Sequence, residues 1–357
     1  MIPAILPSLI TANKHLNLIV VAAQLHRLEK ETTDSGEKVE ISRESEPAHL
    51  YTIAKGEKKL KQLTDGLDND LAPQFSKAMN GLLFVRNSSK NETNELMFLA
   101  TSHSKPTRLG KLPVGAFAHS AISTSGQTFV AQLQENDWDE ENTTLACVFN
   151  GQIVKTFAGV DGCQIIPGTE TIAVHTRAGA NIWFNGLTNR QDQLFPTKEP
   201  VTWLNSGIAL SFGPRMDDYP VITMYNKSGK KLRTLKPVWD EDQMLETFVV
   251  LPQADTSKSQ SVIVEDVHHM SSGHWPSCFQ LDLQTGVRKR LFRGHWLDTN
   301  DLREFLSLDW EWIGAYHRGN DRTGLLMRSS PKGQREVQVT RFPYRVTSAC
   351  WAPSSIR

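Results

Sequence analysis

One short cassette recurs seven times along this chain, and few folds can accommodate such a repeat. Each copy is a turn with Gly or a polar pair, then a basic strand with alternating apolar residues. The first is Lys55-Gly56 followed by Lys59-Leu60-Lys61-Gln62-Leu63-Thr64. Next come Ser104-Lys105 with Thr107-Arg108-Leu109, Asn150-Gly151 with Ile153-Val154-Lys155-Thr156-Phe157, and Thr188-Asn189 with Gln191-Asp192-Gln193-Leu194-Phe195. The last three are Ser228-Gly229 with Leu232-Arg233-Thr234-Leu235, Thr285-Gly286 with Val287-Arg288-Lys289-Arg290-Leu291-Phe292, and Lys332-Gly333 with Glu336-Val337-Gln338-Val339-Thr340. Most lie roughly 35 to 57 residues apart, close to the ~40–50 residue period of one four-stranded unit.

A short apolar strand precedes each turn and predicts a hairpin with the basic strand. These are Leu50–Ile53, Leu96–Leu99, Leu145–Phe149, Ile182–Phe184, Val221–Tyr225, Cys278–Leu281 and Leu325–Met327. The basic strand reads as outermost, because Lys and Arg on a solvated edge discourage edge-to-edge pairing. Two further strands lie upstream in each unit, clearest in Pro73–Ser76 and Leu82–Val85 about the Asn80-Gly81 turn. Their continuous apolar character suits strands covered on both faces.

The expected fold is all-β: a single domain over 1–357, a seven-bladed β-propeller of four-stranded antiparallel blades. Its blades run roughly over 3–64, 71–110, 113–157, 160–196, 199–236, 243–293 and 302–342, with a closing strand at 345–353. Val346 to Pro353 has the character of an inner strand with no hairpin behind it, so it is expected to close the ring with the N-terminal unit. Leu6 to Ile10 offers a competing inner strand, and the sequence leaves open which is used.

Pro73-Gln74-Phe75-Ser76 with Asn80-Gly81 resembles the P-x-[aromatic]-S-P-D-G-K signature of TolB-type propeller repeats. Leu50-Tyr51-Thr52-Ile53 followed by Lys61-Gln62-Leu63-Thr64 resembles their second half. The likeness is at the level of the repeat, TolB-like and WD-repeat-like, and points to no particular subfamily. Units three to five lack the Pro, and no unit has the full S-P-D-G. The resemblance implies the propeller fold and, among functions, an envelope or sensor component.

Bulk properties narrow the partners. Lys plus Arg and Asp plus Glu are 39 each, for a formal net charge of zero, so no nucleic acid is expected as partner. No apolar run approaches the ~20 residues that span a bilayer, so no membrane span is expected and the chain reads as soluble. Four distant cysteines, Cys147, Cys163, Cys278 and Cys350, read as buried thiols on strands rather than two disulfides. Leu16 to Ala23 is apolar but lacks the basic leader of a secretion signal and fits the strand pattern. A cytoplasmic location is therefore favoured, with periplasmic or secreted locations left open.

Insertions mark the long loops. Arg27 to His49 reads as a solvated loop or flexible hairpin, and Glu135 to Asn142 and Trp239 to Gln243 as acidic excursions. The tryptophans are read mostly as wedges between blades.

No nucleophile elbow, zinc-protease helix, phosphate loop or dinucleotide fingerprint is present, so no catalytic residue and no cofactor is assigned. Ligand-binding candidates lie in and after the irregular sixth unit: His268, His269, His274, Trp275, His295, Trp296 and Asp298, near Glu265, Asp266 and Asp301. Gly273-His274-Trp275 and Gly294-His295-Trp296 echo one another. Imidazoles with carboxylates can hold a metal or a sugar acid, though loop histidines are commonly just solvated, and no metal is assigned. Three functions follow as expectations: a non-enzymatic platform for a protein partner, a propeller acting on a carbohydrate or small acid, and an envelope or sensor component.

Overall fold

The structure is a computed structural model. It describes residues 16–32, 36, 38–44, 46–54, 59–88, 93–100, 105–134, 143–193, 197–204, 207–212, 221–236, 247–251, 261–267, 277–293, 305–306, 312–318, 322–328, 336–338 and 344–356. Apart from a short 3-10 turn at Ser354–Ile356, every regular element among these residues is a strand.

The strands fall into seven antiparallel sheets. Sheet one holds β1 (Leu16–Thr32), β2 (Lys38–Glu44), β3 (His49–Ala54) and β4 (Lys61–Gln62). Sheet two is β5 (Asn69–Ser76), β6 (Gly81–Ser88), β7 (Thr93–Leu99) and β8 (Thr107–Leu112). Sheet three is β9 (Ala116–Ile122), β10 (Thr128–Gln134), β11 (Thr143–Phe149) and β12 (Gln152–Ala158). Sheet four is β13 (Val160–Ile165), β14 (Thr171–Thr176), β15 (Asn181–Asn185) and β16 (Arg190–Gln193). Sheet five is β17 (Val201–Trp203), β18 (Ala209–Phe212), β19 (Ile222–Tyr225) and β20 (Lys231–Leu235). Sheet six is β21 (Thr247–Leu251), β22 (Ser261–Val267), β23 (Ser277–Asp282) and β24 (Arg288–Arg293). Sheet seven is β25 (Phe305–Leu306), β26 (Trp312–Arg318), β27 (Arg322–Arg328) and β28 (Glu336–Gln338). The last strand, β29 (Tyr344–Pro353), pairs with β1.

Why the second strands are continuously apolar is visible in β6. Leu82, Leu83, Phe84 and Val85 are all fully buried. Successive side chains of a strand point to opposite faces. Leu82 and Phe84 accordingly cluster with Leu18, Val20 and Leu50 of sheet one, and Leu83 and Val85 with Phe129 and Ala131 of sheet three. In β10 the same split sends Val130 to a cluster with Ile172 and Val174 of sheet four. Each such side chain contributes about 1.5–3 kcal/mol by leaving water, so the seams between sheets are the hydrophobic core. Trp203, 1% exposed, wedges between sheets four and five, with its ring 5.3 Å from that of Trp183.

The outer edges are blunted twice over. In all seven sheets the cassette strand ends the pairing order: β4, β8, β12, β16, β20, β24 and β28. Four of them also carry a bulge, which the sequence pattern did not reveal. Register shifts leave Leu109 extra in β8, Val154 in β12, Leu232 in β20 and Leu291 in β24. Charge and bulges are both edge defences. The Asn150-Gly151 turn between β11 and β12 has φ of 47° and 78°, the paired left-handed geometry that a two-residue hairpin needs.

The C-terminal strand takes the place beside β1 and closes the chain. Nine residue pairs, from Leu16↔Pro353 to Leu25↔Tyr344, zip β29 to β1, while β3 pairs with β1 over Leu18 to Ala23. The order is thus β29, β1, β3, β4, and Leu6 to Ile10 lies outside the described residues. Leu16 to Ala23 is the first half of β1, and its apolar character is used by the sheet, with Leu18 and Val20 to Ala23 buried. A bulge between Leu71 and Gln74 frees the Ala72 amide from the ladder, and it donates to Ser348 Oγ of β29 at 3.0 Å. Arg27 to His49 is a hairpin: β1 continues past β3 and pairs with β2 from His26↔Glu44 to Thr32↔Lys38.

Candidate functional site

The antiparallel order gives the molecule two unlike faces. A connection from second to third strand, and a crossover from the outer strand to the next sheet, leave from the same end of a sheet; the two remaining hairpin turns leave from the other. Hydrogen bonds confirm the grouping. Asn94, at the start of β7, donates to the carbonyls of Pro113 and Gly115 in the crossover to sheet three, at 3.0 and 2.6 Å. Across the other end, Ser76 Oγ donates to the Gly126 carbonyl at 2.6 Å, joining the first turns of sheets two and three. Gly126, at φ 81°, has no alternative, because a Cβ there would collide with the Lys77 amide. The crossover face receives the β1–β2 hairpin and the connections 135–142, 213–221, 237–246, 268–276 and 294–304. The turn face is mostly tight, as at 77–80, 150–151 and 226–230.

His268, His269, His274, Trp275, His295, Trp296 and Asp298 lie outside the described residues, as do Asp301, Trp138 to Glu141 and Trp239 to Asp242. Glu265 and Asp266 are on β22. Residues 268–276 join β22 to β23, and 294–304 join β24 to β25.

Among the described residues, two aspartate–arginine corners lie at the crossover face, while Glu170 on the turn face accepts from the Ser125 and Thr128 hydroxyls at 2.6 Å each. Asp70, with no exposed surface, receives a bidentate bond from Arg86: Nε to Oδ1 at 2.7 Å and Nη2 to Oδ2 at 2.9 Å. That hydrogen bonding raises the Arg86 pKa and outweighs its partial burial. Sheet four repeats the arrangement loosely. Arg177 Nε lies 3.2 Å from Asp161 Oδ1, without the geometry of a hydrogen bond, and Asp161 is 31% exposed. His175 Nε2 stands 3.9 Å from the same carboxylate. Asn181, like Asn94, clasps a crossover, donating to Thr197 and Glu199 carbonyls at 2.8 and 3.2 Å. Its Oδ1 therefore accepts, at 3.2 Å, from Nδ1 of His175, which assigns that nitrogen its proton.

Seams between first strands are bridged by side-chain amides. Gln164 Nε2 donates to the Trp203 carbonyl at 2.9 Å and its Oε1 accepts from the Trp203 amide at 2.7 Å. Gln74 Nε2, two sheets earlier, donates to Ser120 Oγ at 3.2 Å. Sequence reasoning missed all of these, although Asn at the start of a third strand in two units was a readable signal.

Cys147, Cys163 and Cys350 are buried thiols, and burial pushes the pKa of Cys147 and Cys350 upward, making them poor nucleophiles. The Cys278 side chain lies outside the described residues. No metal-binding cluster occurs among the described residues, and none of their helices is long and apolar enough to cross a membrane.

No family model matches the chain, and no curated protein sequence does. Solved structures do. TolB from Acinetobacter baumannii superposes with a TM-score of 0.52 at 14% identity, covering 95% of this chain and 67% of that one. The β-propeller domain of the Trilobed protease from Pyrococcus furiosus gives 0.55 at 9% identity, covering 89% and 96%. That domain has an open velcro topology, whereas here β29 pairs with β1. At such low identity the likeness carries the architecture alone: this chain is similar to TolB and other propellers in fold, and is a β-propeller.

Proposed function

We propose that this protein is a non-enzymatic interaction platform that binds a protein partner through the crossover face of a seven-bladed ring. The observation that carries the reading is the asymmetry between faces. Most of the long connections and the β1–β2 hairpin leave one end of the sheets, while the connections at the other end have seven residues or fewer, apart from 252–260. Two of those connections are acidic, with Glu135, Asp137, Asp139, Glu140 and Glu141 in one and Asp240, Glu241 and Asp242 in another. Cross-linking mass spectrometry on the protein captured with its partner from native cells tests it. Cross-links are expected on the crossover-side lysines Lys30, Lys111 and Lys198. Cross-links confined to turn-side Lys77, Lys105 and Lys227, or no partner at all, overturn it.

A second reading is a propeller enzyme or binding protein for a carbohydrate or small acid, using the His268 to Asp301 region. What supports it is connectivity: both His-Trp echoes fall in connections that leave the same end of sheet six. Elemental analysis, with calorimetric titration of glucuronate into wild type and a His274→Ala, His295→Ala double variant, separates the readings. Binding or metal content lost in the variant supports it, and metal-free protein that ignores glucuronate rejects it.

A further inference from the structure

We infer that the β2 edge of the hairpin arm is a docking strand for a second copy of this chain, paired antiparallel about Ile41. The inference does not depend on the partner platform proposed above. It begins from how this molecule treats its other outer edges. β8, β12, β20 and β24 are each bulged and carry excess positive charge, while β4, β16 and β28 have two, four and three residues. Such edges are poor templates for another strand.

β2 carries Lys38 and Arg43, but their charge is balanced by Glu40 and Glu44, and it lacks both the bulge and the short length of the other edges. It pairs with β1 over seven consecutive residues, without a register shift. Among the described residues no other strand pairs with it, and it ends the sheet order. Its sequence, Lys38-Val39-Glu40-Ile41-Ser42-Arg43-Glu44, sets β-favouring Val39 and Ile41 between polar residues and has no net charge. The arm also extends past the sheet. β3 leaves β1 at Ala23, and the β2 ladder runs from His26 to Thr32, a two-stranded ribbon about 23 Å long at ~3.3 Å per residue. A ribbon of two strands is marginal in water and gains from added strands.

The occupant follows from the order of charges along β2. Antiparallel pairing of two copies about Ile41 uses all seven residues. It sets Lys38 opposite the partner's Glu44 twice, Glu40 opposite Ser42 twice, Val39 opposite Arg43 twice, and Ile41 opposite Ile41. No like charges meet. Centring on Glu40 instead puts Glu40 against Glu40, centring on Ser42 puts Glu40 against Glu44, and parallel pairing in register puts every charge against its like. Like charges directly opposite are destabilising, opposite charges stabilising. A two-fold contact of this kind is self-complementary and closed, as in most homodimers.

Sedimentation and disulfide trapping test the contact on the full chain. Wild type is expected to dimerise reversibly at up to about 0.1 mM protein, in the range of a small interface. Ile41→Cys should give a covalent dimer under mild oxidation, because residues directly opposite lie within disulfide reach. Val39→Cys, opposite Arg43, should not. Lys38→Glu should weaken dimerisation at least fivefold, and adding Glu44→Lys should restore it. Since these positions project beyond the sheet, circular dichroism should report an unchanged fold. Wild type that stays monomeric, or a dimer indifferent to Lys38→Glu and untrapped by Ile41→Cys, overturns the inference.

Discussion

Sheets two and four hold an aspartate near the start of the first strand and an arginine near or just past the end of the second, yet the two corners differ. Asp70 is sealed, with both oxygens bonded to Arg86. Asp161 is open, shared loosely between Arg177 and His175. Both sheets keep the asparagine that ties the crossover, so the frame is the same. The difference teaches that the same frame can hold a polar corner either closed or open: in one the carboxylate is cut off from water, in the other it faces solvent.

The largest test of that contrast is Asp70→Asn. It strands the Arg86 guanidinium, whose side chain is 20% exposed, and should destabilise the fold by about 3 kcal/mol, the low end for breaking a buried pair. Asp161→Asn should lower the unfolding free energy, measured for both variants by urea denaturation, by less than about 1 kcal/mol, because about a third of that side chain meets water. Equal losses in the two variants would erase the distinction.

The smallest expected effect extends the comparison to a carboxylate that is bound only within its own turn. Asp282 caps the turn into β24, accepting from the Thr285 amide at 2.7 Å, the Thr285 hydroxyl at 3.0 Å and the Gln284 amide at 2.8 Å. Those bonds, from Thr285 first, lower its pKa. A lowered folded value means the stabilisation is present above the ordinary carboxylate pKa of about 3.9 and lost as pH falls through the lower folded value. The protection factors of the Gln284 and Thr285 amides, which remove the intrinsic pH dependence of exchange, should therefore fall only in that acid window, with the global midpoint unmoved by this group. Protection that is lost near neutral pH contradicts the assignment.

Much of the architecture was legible before any coordinates. Lys61, Arg108, Lys155, Arg233 and Arg288 marked outer strands because edges need charge, and Leu82 to Val85 marked an inner strand because two neighbours cover it. The bulges at Leu109, Val154, Leu232 and Leu291 were not legible, since an extra residue in a short alternating strand looks like a change of phase. Neither was the Asp70–Arg86 corner, whose partners are 16 residues apart and look like ordinary polar strand ends. The His268 to Asp298 candidates lie outside the described residues and stand as a proposal.

By itself the sequence determined the repeat: local alternation, turn residues and basic edges are encoded within each unit, where neighbours in the chain are neighbours in space. Tertiary structure alone decided that the C-terminal strand lies directly beside β1 and that the Asp70–Arg86 pair is sealed. The choice of β29 for the innermost place beside β1 depends on burying Cys350 and Ala352 against residues some 330 positions earlier in the chain. The β29–β1 contacts join residues some 330 positions apart, and no local pattern records which terminal strand makes them.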